Sequence, residues 1–195
     1  MQIGKVIYPV STLGIGTRLV IWTIGCNRIC PGCSNPELQP FDKSKDIDTG
    51  LLLESIENYS FDGVTITGGE PFLQIQELKK LVKGLIDRKI EDILIFTGFT
   101  KQELENKHNE DIDFILKNIS VLIDGPFDIR KPSNKILVGS TNQKVYILNS
   151  KFKEKYVDYM KKDKAVDVFR FNNEIHFIGV PEPEYSKKYD KLLRR

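Results

Sequence analysis

Short apolar, β-branched runs alternate along this chain with longer stretches whose apolar positions recur every three or four residues. The first kind reads as strands and the second as helices with one buried face. Strands are predicted at 6–10, 18–24, 63–67, 92–96, 120–123 and 145–148. The Gly14-Ile15-Gly16-Thr17 segment turns the first into the second. Helices are predicted from Asp48 or Thr49 to about Tyr59, over 74–88, from a Thr100–Glu103 capping box to about Asn118, and over 151–161. In the second of these, Leu78, Leu81, Val82, Leu85 and Ile86 fall on one helical face. Runs at 168–171 and 175–178, joined by Asn172-Asn173, read as a hairpin.

Alternation of strand and helix implies an α/β protein, with a parallel sheet and right-handed crossovers curling toward a closed or partial barrel. In such architectures the loops after the strands' C-terminal ends build the active site. Here those loops hold three cysteines, Gly68-Gly69-Glu70-Pro71, Thr97-Gly98-Phe99 and Asp124-Gly125.

Composition narrows the function classes. The 195 residues suffice for a core without disulfides. Lys and Arg number 29 against 27 Asp and Glu, a net charge of +2, which argues against a general grip on nucleic acid or an acidic membrane. No apolar run approaches membrane-span length, and the first residues lack a signal-peptide core, so a cytoplasmic location is expected.

All three cysteines fall within Cys26-Asn27-Arg28-Ile29-Cys30-Pro31-Gly32-Cys33, a C-x3-C-x2-C spacing. A tight, odd cluster points to metal or redox chemistry rather than a disulfide framework. A structural zinc site wants four ligands, which would require His108 or His176 to complete this one. An iron–sulfur cubane held by three cysteines instead leaves one iron open to a small molecule. Three ordinary buried cysteines are the remaining alternative.

The cysteine loop after one strand and the Gly-Gly-Glu after the next together resemble the radical S-adenosylmethionine (SAM) superfamily. The Cys-Pro-Gly-Cys step followed by Asn35-Pro36 narrows the likeness. So do Thr97-Gly98-Phe99-Thr100, Asp124-Gly125-Pro126-Phe127 and Gly139-Ser140-Thr141-Asn142-Gln143. With them the chain resembles the activating proteins of anaerobic ribonucleoside-triphosphate reductases.

That resemblance implies a partial (β/α)6 barrel with a short N-terminal strand extension and a C-terminal hairpin. The chain would be one domain over 1–195, its core about 18–150 and an appendage about 151–195. Cys26, Cys30 and Cys33 would ligate a [4Fe–4S] cluster and SAM would be the second cofactor. Gly68, Gly69 and Glu70 would hold the methionine ammonium, and the main chain at Gly32 and Ser34 would lie along the adenine. Thr97 and Asp124 face the same rim. Asp124 would bind a ribose hydroxyl or a cation, or cap a turn. No catalytic residue beyond the cluster ligands is implied.

The implied reaction is reductive cleavage of SAM to a 5′-deoxyadenosyl radical that takes hydrogen from a glycine of a large glycyl-radical partner. A flavodoxin- or ferredoxin-type protein would donate the electron. Rival readings are a compact radical SAM enzyme acting on a small molecule or ribosomal peptide, and a non-enzymatic metal-binding module. His108 is expected on a buried helix face and His176 between apolar hairpin neighbours, both structural. Residues 161–164 read as a solvated helix end, and the basic tail from Tyr185 to Arg195 as disordered or partner-binding.

Overall fold

The computed structural model describes residues 1–171 and 174–180. Six strands form one sheet in chain order: β1 (Ile3–Val10), β2 (Arg18–Thr23), β3 (Gly63–Gly68), β4 (Ile93–Phe96), β5 (Val121–Asp124) and β6 (Lys144–Ile147). β2 to β5 run parallel, while β1 and β6 lie antiparallel at the two edges. The crossovers are α1 (Thr49–Ser55), α2 (Ile75–Asp87), and the pair α3 (Lys101–Glu105) and α4 (Glu110–Asn118). After β6 come α5 (Lys153–Tyr159) and a separate antiparallel hairpin, β7 (Val166–Phe171) and β8 (Glu174–Gly179). The expected Asn172-Asn173 turn and the tail from Tyr185 lie outside the described residues. Among the described residues no helix is long and apolar enough to cross a membrane.

Three expectations change. The N-terminal strand is eight residues, longer than the 6–10 predicted. The strand at 144–147 returns antiparallel, so the sheet has three helical crossovers instead of the six β/α units of the expected partial barrel, and its pairing ends at β1 and β6. A parallel return needs a crossover, usually helical. The connection from Gly125 to Gln143, interrupted by Pro126, Pro132 and Gly139, supplies none. The single helix expected from Thr100 to Asn118 is two. His108 sits at a φ of 45°, and Asn109 caps a new helix by accepting from the N–H groups of Asp111 and Ile112. The capping box is as predicted, with Thr100 and Glu103 bonded to each other's backbone N–H.

The sheet is buried on both faces. One face, with Leu19, Ile21, Val64, Ile66, Ile93, Ile95 and Leu122, packs against α1, α2 and α4. Leu78, Leu81 and Leu85 of α2 are fully buried there, and each such side chain stabilises the fold by about 1.5–3 kcal/mol. On the other face Leu94, Val121 and Ile123 meet Phe152, Tyr156 and Tyr159. Val20 and Trp22 meet Leu13, Leu38 and Ile178 of β8. The C-terminal elements therefore cover a sheet face that would otherwise be bare.

The N-terminal ends of the strands are held by a buried charge. Arg18 is wholly inaccessible to solvent. Its Nε donates to Thr65 Oγ1 (2.6 Å). Nη1 donates to Asp92 Oδ2 (2.8 Å) and the Ile15 carbonyl (3.2 Å). Nη2 donates to the carbonyls of Val64 (2.6 Å) and Asp92 (3.2 Å). Five bonds satisfy five donors, which burial of a guanidinium requires. The Asp92 carboxylate also accepts from the Ser120 hydroxyl and, at 2.9 Å, from the Tyr156 hydroxyl, which pins α5 to the sheet. Burial pushes the Tyr156 phenol well above the ordinary tyrosine range.

Asp92→Ala would strand the Arg18 guanidinium. A loss of about 3–5 kcal/mol is expected, read as a fall in the urea midpoint. Tyr156→Phe, which leaves the ion pair intact, is expected to cost about 1 kcal/mol.

Candidate cluster and cofactor site

The cysteine loop leaves the C-terminal end of β2 and is pinned at its root. The Gly25 N–H donates to the Leu38 carbonyl (2.9 Å) and the Cys26 N–H to that of Gln39 (2.8 Å). Within the loop, the Cys30 N–H donates to the Arg28 carbonyl (2.9 Å) and the Cys33 N–H to the Cys30 carbonyl (3.2 Å). All three cysteines are free and half-buried. The Arg28 N–H donates to Cys26 Sγ at 3.3 Å. Burial raises the Cys26 thiol above its ordinary range; that hydrogen bond opposes it, and negative charge at Glu70, Cys30 and Cys33 adds to it.

A [4Fe–4S] cubane takes one thiolate per iron. The donor set fits it: three free thiols on one backbone-pinned loop, each partly open to the rim.

The Gly-Gly-Glu segment after β3 is welded to the root of this loop. The Glu70 N–H donates to the Gly25 carbonyl and the Gly69 N–H to that of Thr23, both at 2.8 Å. A Cβ on Gly69 would stand 2.5 Å from the Gly25 oxygen, and one on Gly68, whose φ is 107°, 2.5 Å from the Thr23 nitrogen and oxygen. Both positions therefore exclude any side chain.

The Glu70 side chain is 1% exposed and points into the protein. Its Oε1 accepts from the Phe72 N–H (3.0 Å) and the Thr97 hydroxyl (2.8 Å), and its Oε2 from the Gly98 N–H (2.7 Å). Burial raises this carboxyl above the usual range, while the three donors and the Arg28 charge pull it back. Glu70 thus clamps the loop after β3 to the loop after β4. Thr97, also buried, accepts in turn from the Phe99 N–H at 3.1 Å.

Asp124, at the end of β5, is buried too. Its Oδ2 accepts from the Lys101 N–H (2.6 Å) and its Oδ1 from the Lys144 N–H (3.2 Å), so it ties α3 and β6 to the same rim. Gly32 and Ser34 are exposed on the outer side of the cysteine loop. Ile129 lies over Gly32 and Phe41 over Gly25. With Ile29, 81% exposed between two cysteines, they surround the loop with apolar surface open to solvent.

His108 stands exposed in the turn between α3 and α4, not on the buried face expected of it, because the helix breaks there. His176 is half-buried in β8, paired in register with Phe169, and Lys161 to Asp163 are exposed.

Two rim residues were missed as candidates. Arg28 lies 4.4 Å over the Phe99 ring and donates from Nη2 to Glu103 Oε1 at 2.8 Å, but its buried Nε has no partner. Asn142 donates from Nδ2 to the Pro126 carbonyl at 2.7 Å, and its buried Oδ1 has none. These are the two unsatisfied buried side-chain polar atoms among the described residues. The available signals were an arginine inside the cysteine motif and an asparagine inside Gly139-Ser140-Thr141-Asn142-Gln143.

Residues 12–146 match the model of the 4Fe-4S single cluster domain. The chain is 29% identical over 154 residues to the anaerobic ribonucleoside-triphosphate reductase-activating protein of Enterobacteria phage T4, covering 72% of this chain and 90% of that one. It is 31% identical over 140 residues to a pyruvate formate-lyase-activating enzyme of Staphylococcus aureus, covering 64% of this chain and 55% of the enzyme. A putative glycyl-radical enzyme activating enzyme of Methanocaldococcus jannaschii is 32% identical over 98 residues, half of this chain and 38% of its own length.

Gly69→Ala would force the Gly-Gly-Glu segment off the Gly25 backbone. The variant is expected to fold, by circular dichroism, but to take up less than half the wild-type iron on anaerobic reconstitution. Wild-type iron content in this variant would show that the contact is not needed.

Proposed function

The chain belongs to the 4Fe-4S single cluster domain family, and from that premise we propose that it activates a large glycyl-radical enzyme of the anaerobic ribonucleotide reductase kind. It is a radical SAM enzyme whose cofactors are a [4Fe–4S] cluster and SAM. The observation that carries the reading is the weld between the cysteine loop and the Gly-Gly-Glu loop. It sets three free thiols beside a buried carboxylate at the C-terminal ends of parallel strands.

Cys26, Cys30 and Cys33 would hold three irons of the cluster, leaving the fourth without a protein ligand. When bound, cluster and SAM together supply reductive cleavage of the sulfonium to a 5′-deoxyadenosyl radical able to take hydrogen from a glycine Cα. The chain's own residues do the positioning. The segment Gly68, Gly69 and Glu70 would receive the methionine ammonium, Gly32 and Ser34 the adenine, and Thr97 and Asp124 the rest of the rim. Glu70 contributes chiefly by fixing Phe72, Thr97 and Gly98 through its three accepted hydrogen bonds. Fixing a site before the ligand arrives lowers the ordering cost of binding.

A macromolecular substrate is favoured by the exposed apolar surface of Ile29, Phe41 and Ile129 around the cysteine loop. Exposed apolar surface of this kind marks interaction sites, and a docked partner would shield the loop from water. The reduced thiols suit the cytoplasm, where a flavodoxin- or ferredoxin-type donor would supply the electron.

Reconstituted under argon with iron and sulfide, then given SAM and a strong reductant, the protein is expected to release 5′-deoxyadenosine. Cys26→Ser, Cys30→Ser and Cys33→Ser should each abolish release. With the partner reductase present, paramagnetic resonance should show a glycine-centred signal. SAM cleavage without that signal would leave the radical SAM assignment standing and overturn the choice of partner.

A further inference from the structure

We infer that Arg28 is a SAM-positioning residue whose Nε–H receives the carboxylate of the methionine moiety. The inference rests on the radical SAM reading above and adds a residue to that same site. A buried donor with no partner carries an uncompensated desolvation cost, and Arg28 Nε is such a donor at the rim. Its surroundings show that it is held in place rather than left loose. The guanidinium lies 4.4 Å over Phe99, and its Nη2 is anchored to Glu103, itself fixed by the α3 capping box. The Arg28 backbone N–H is bonded to Cys26 Sγ, so this side chain springs from the cluster loop itself.

The position also faces the Gly-Gly-Glu segment. A Cβ on Gly98 would lie 2.7 Å from Arg28 Cδ, 3.6 Å from Arg28 Nε and 3.4 Å from Glu70 Oε2. Guanidinium and carboxylate therefore flank one glycine, on the two loops that the resemblance assigns to the cluster and to the methionine ammonium. The methionine end of SAM carries an ammonium and a carboxylate on one carbon. The anionic half needs a donor beside the cationic half's acceptors, and an arginine with one free N–H suits a carboxylate.

The test compares Arg28→Gln with wild type by equilibrium binding of SAM and of its decarboxylated analogue to the anaerobically reconstituted proteins. Arg28→Gln is expected to bind SAM about tenfold or more weakly, while its affinity for the analogue stays within about twofold of wild type. A structural role would weaken both ligands alike. Equal losses, or no loss for SAM, would overturn the inference. Should Arg28→Gln fail to load iron, Arg28→Lys, which keeps the charge but lacks Nε, carries the same comparison. If the wild type binds neither ligand, the radical SAM reading itself falls, a result distinct from failure of Arg28 alone.

Discussion

The contact between Gly69 and Gly25 is the constraint on which the rim depends. Two strand-end loops approach until one peptide rests on the other, with the Glu70 N–H donating to the Gly25 carbonyl. This closeness is possible because Gly69 carries no side chain, whose Cβ would stand 2.5 Å from the Gly25 oxygen. Its consequence spreads in both directions. Toward the cysteines it fixes the residue before Cys26. Toward β4 it directs the Glu70 carboxylate into the interior, where Thr97 and Gly98 receive it. One short run thus sets the relative positions of three loops. A side chain at Gly69 would act on all three at once.

The two ends of the parallel strands solve opposite problems. At the N-terminal ends, Arg18 and Asp92 form a charged cluster in which each guanidinium donor has an acceptor. Complete satisfaction makes that end rigid and chemically inert. At the C-terminal ends polar groups are only partly satisfied. Arg28 Nε and Asn142 Oδ1 have no partner there. Buried polar atoms left without partners are costly, and that they collect at one end argues that a ligand completes them. The asymmetry is the physical form of the rule that parallel α/β sheets place stability at one end and chemistry at the other.

Much of this was legible in the sequence, for reasons that differ by residue. The strands at β2 to β5 were readable because β-branched runs buried on both faces have few other uses. The Thr100–Glu103 capping box was readable because it is a local hydrogen-bond pattern. The break at His108 was missed because the apolar spacing of Leu104, Ile112 and Ile115 suits one continuous helix. The competing signal, Asn109 followed by Glu110 and Asp111, is a helix start that periodicity overrode. The reversal of β6 was not readable from Val145 to Leu148 alone, since an edge strand has the same pattern in either direction. What decides it is the connection of prolines and glycines before it.

The site divides in the same way. The cysteine motif is read from its spacing, because ligand count is fixed over a few residues, whereas Gly-Gly-Glu takes its meaning from the family resemblance that pairs it with that loop. Glu70 is expected beside a ligand ammonium, yet its carboxylate meets Thr97 and Gly98, 27 and 28 residues away. No local pattern encodes such a pairing. Arg28 was passed over for the complementary reason: inside a metal-binding motif an arginine looks like a solvated spacer. Its meaning appears only when Phe99 and Glu103, from another loop, are seen to hold it. Motifs therefore tell which loops meet at a site, while the contacts between loops decide which side chains remain free to meet a ligand.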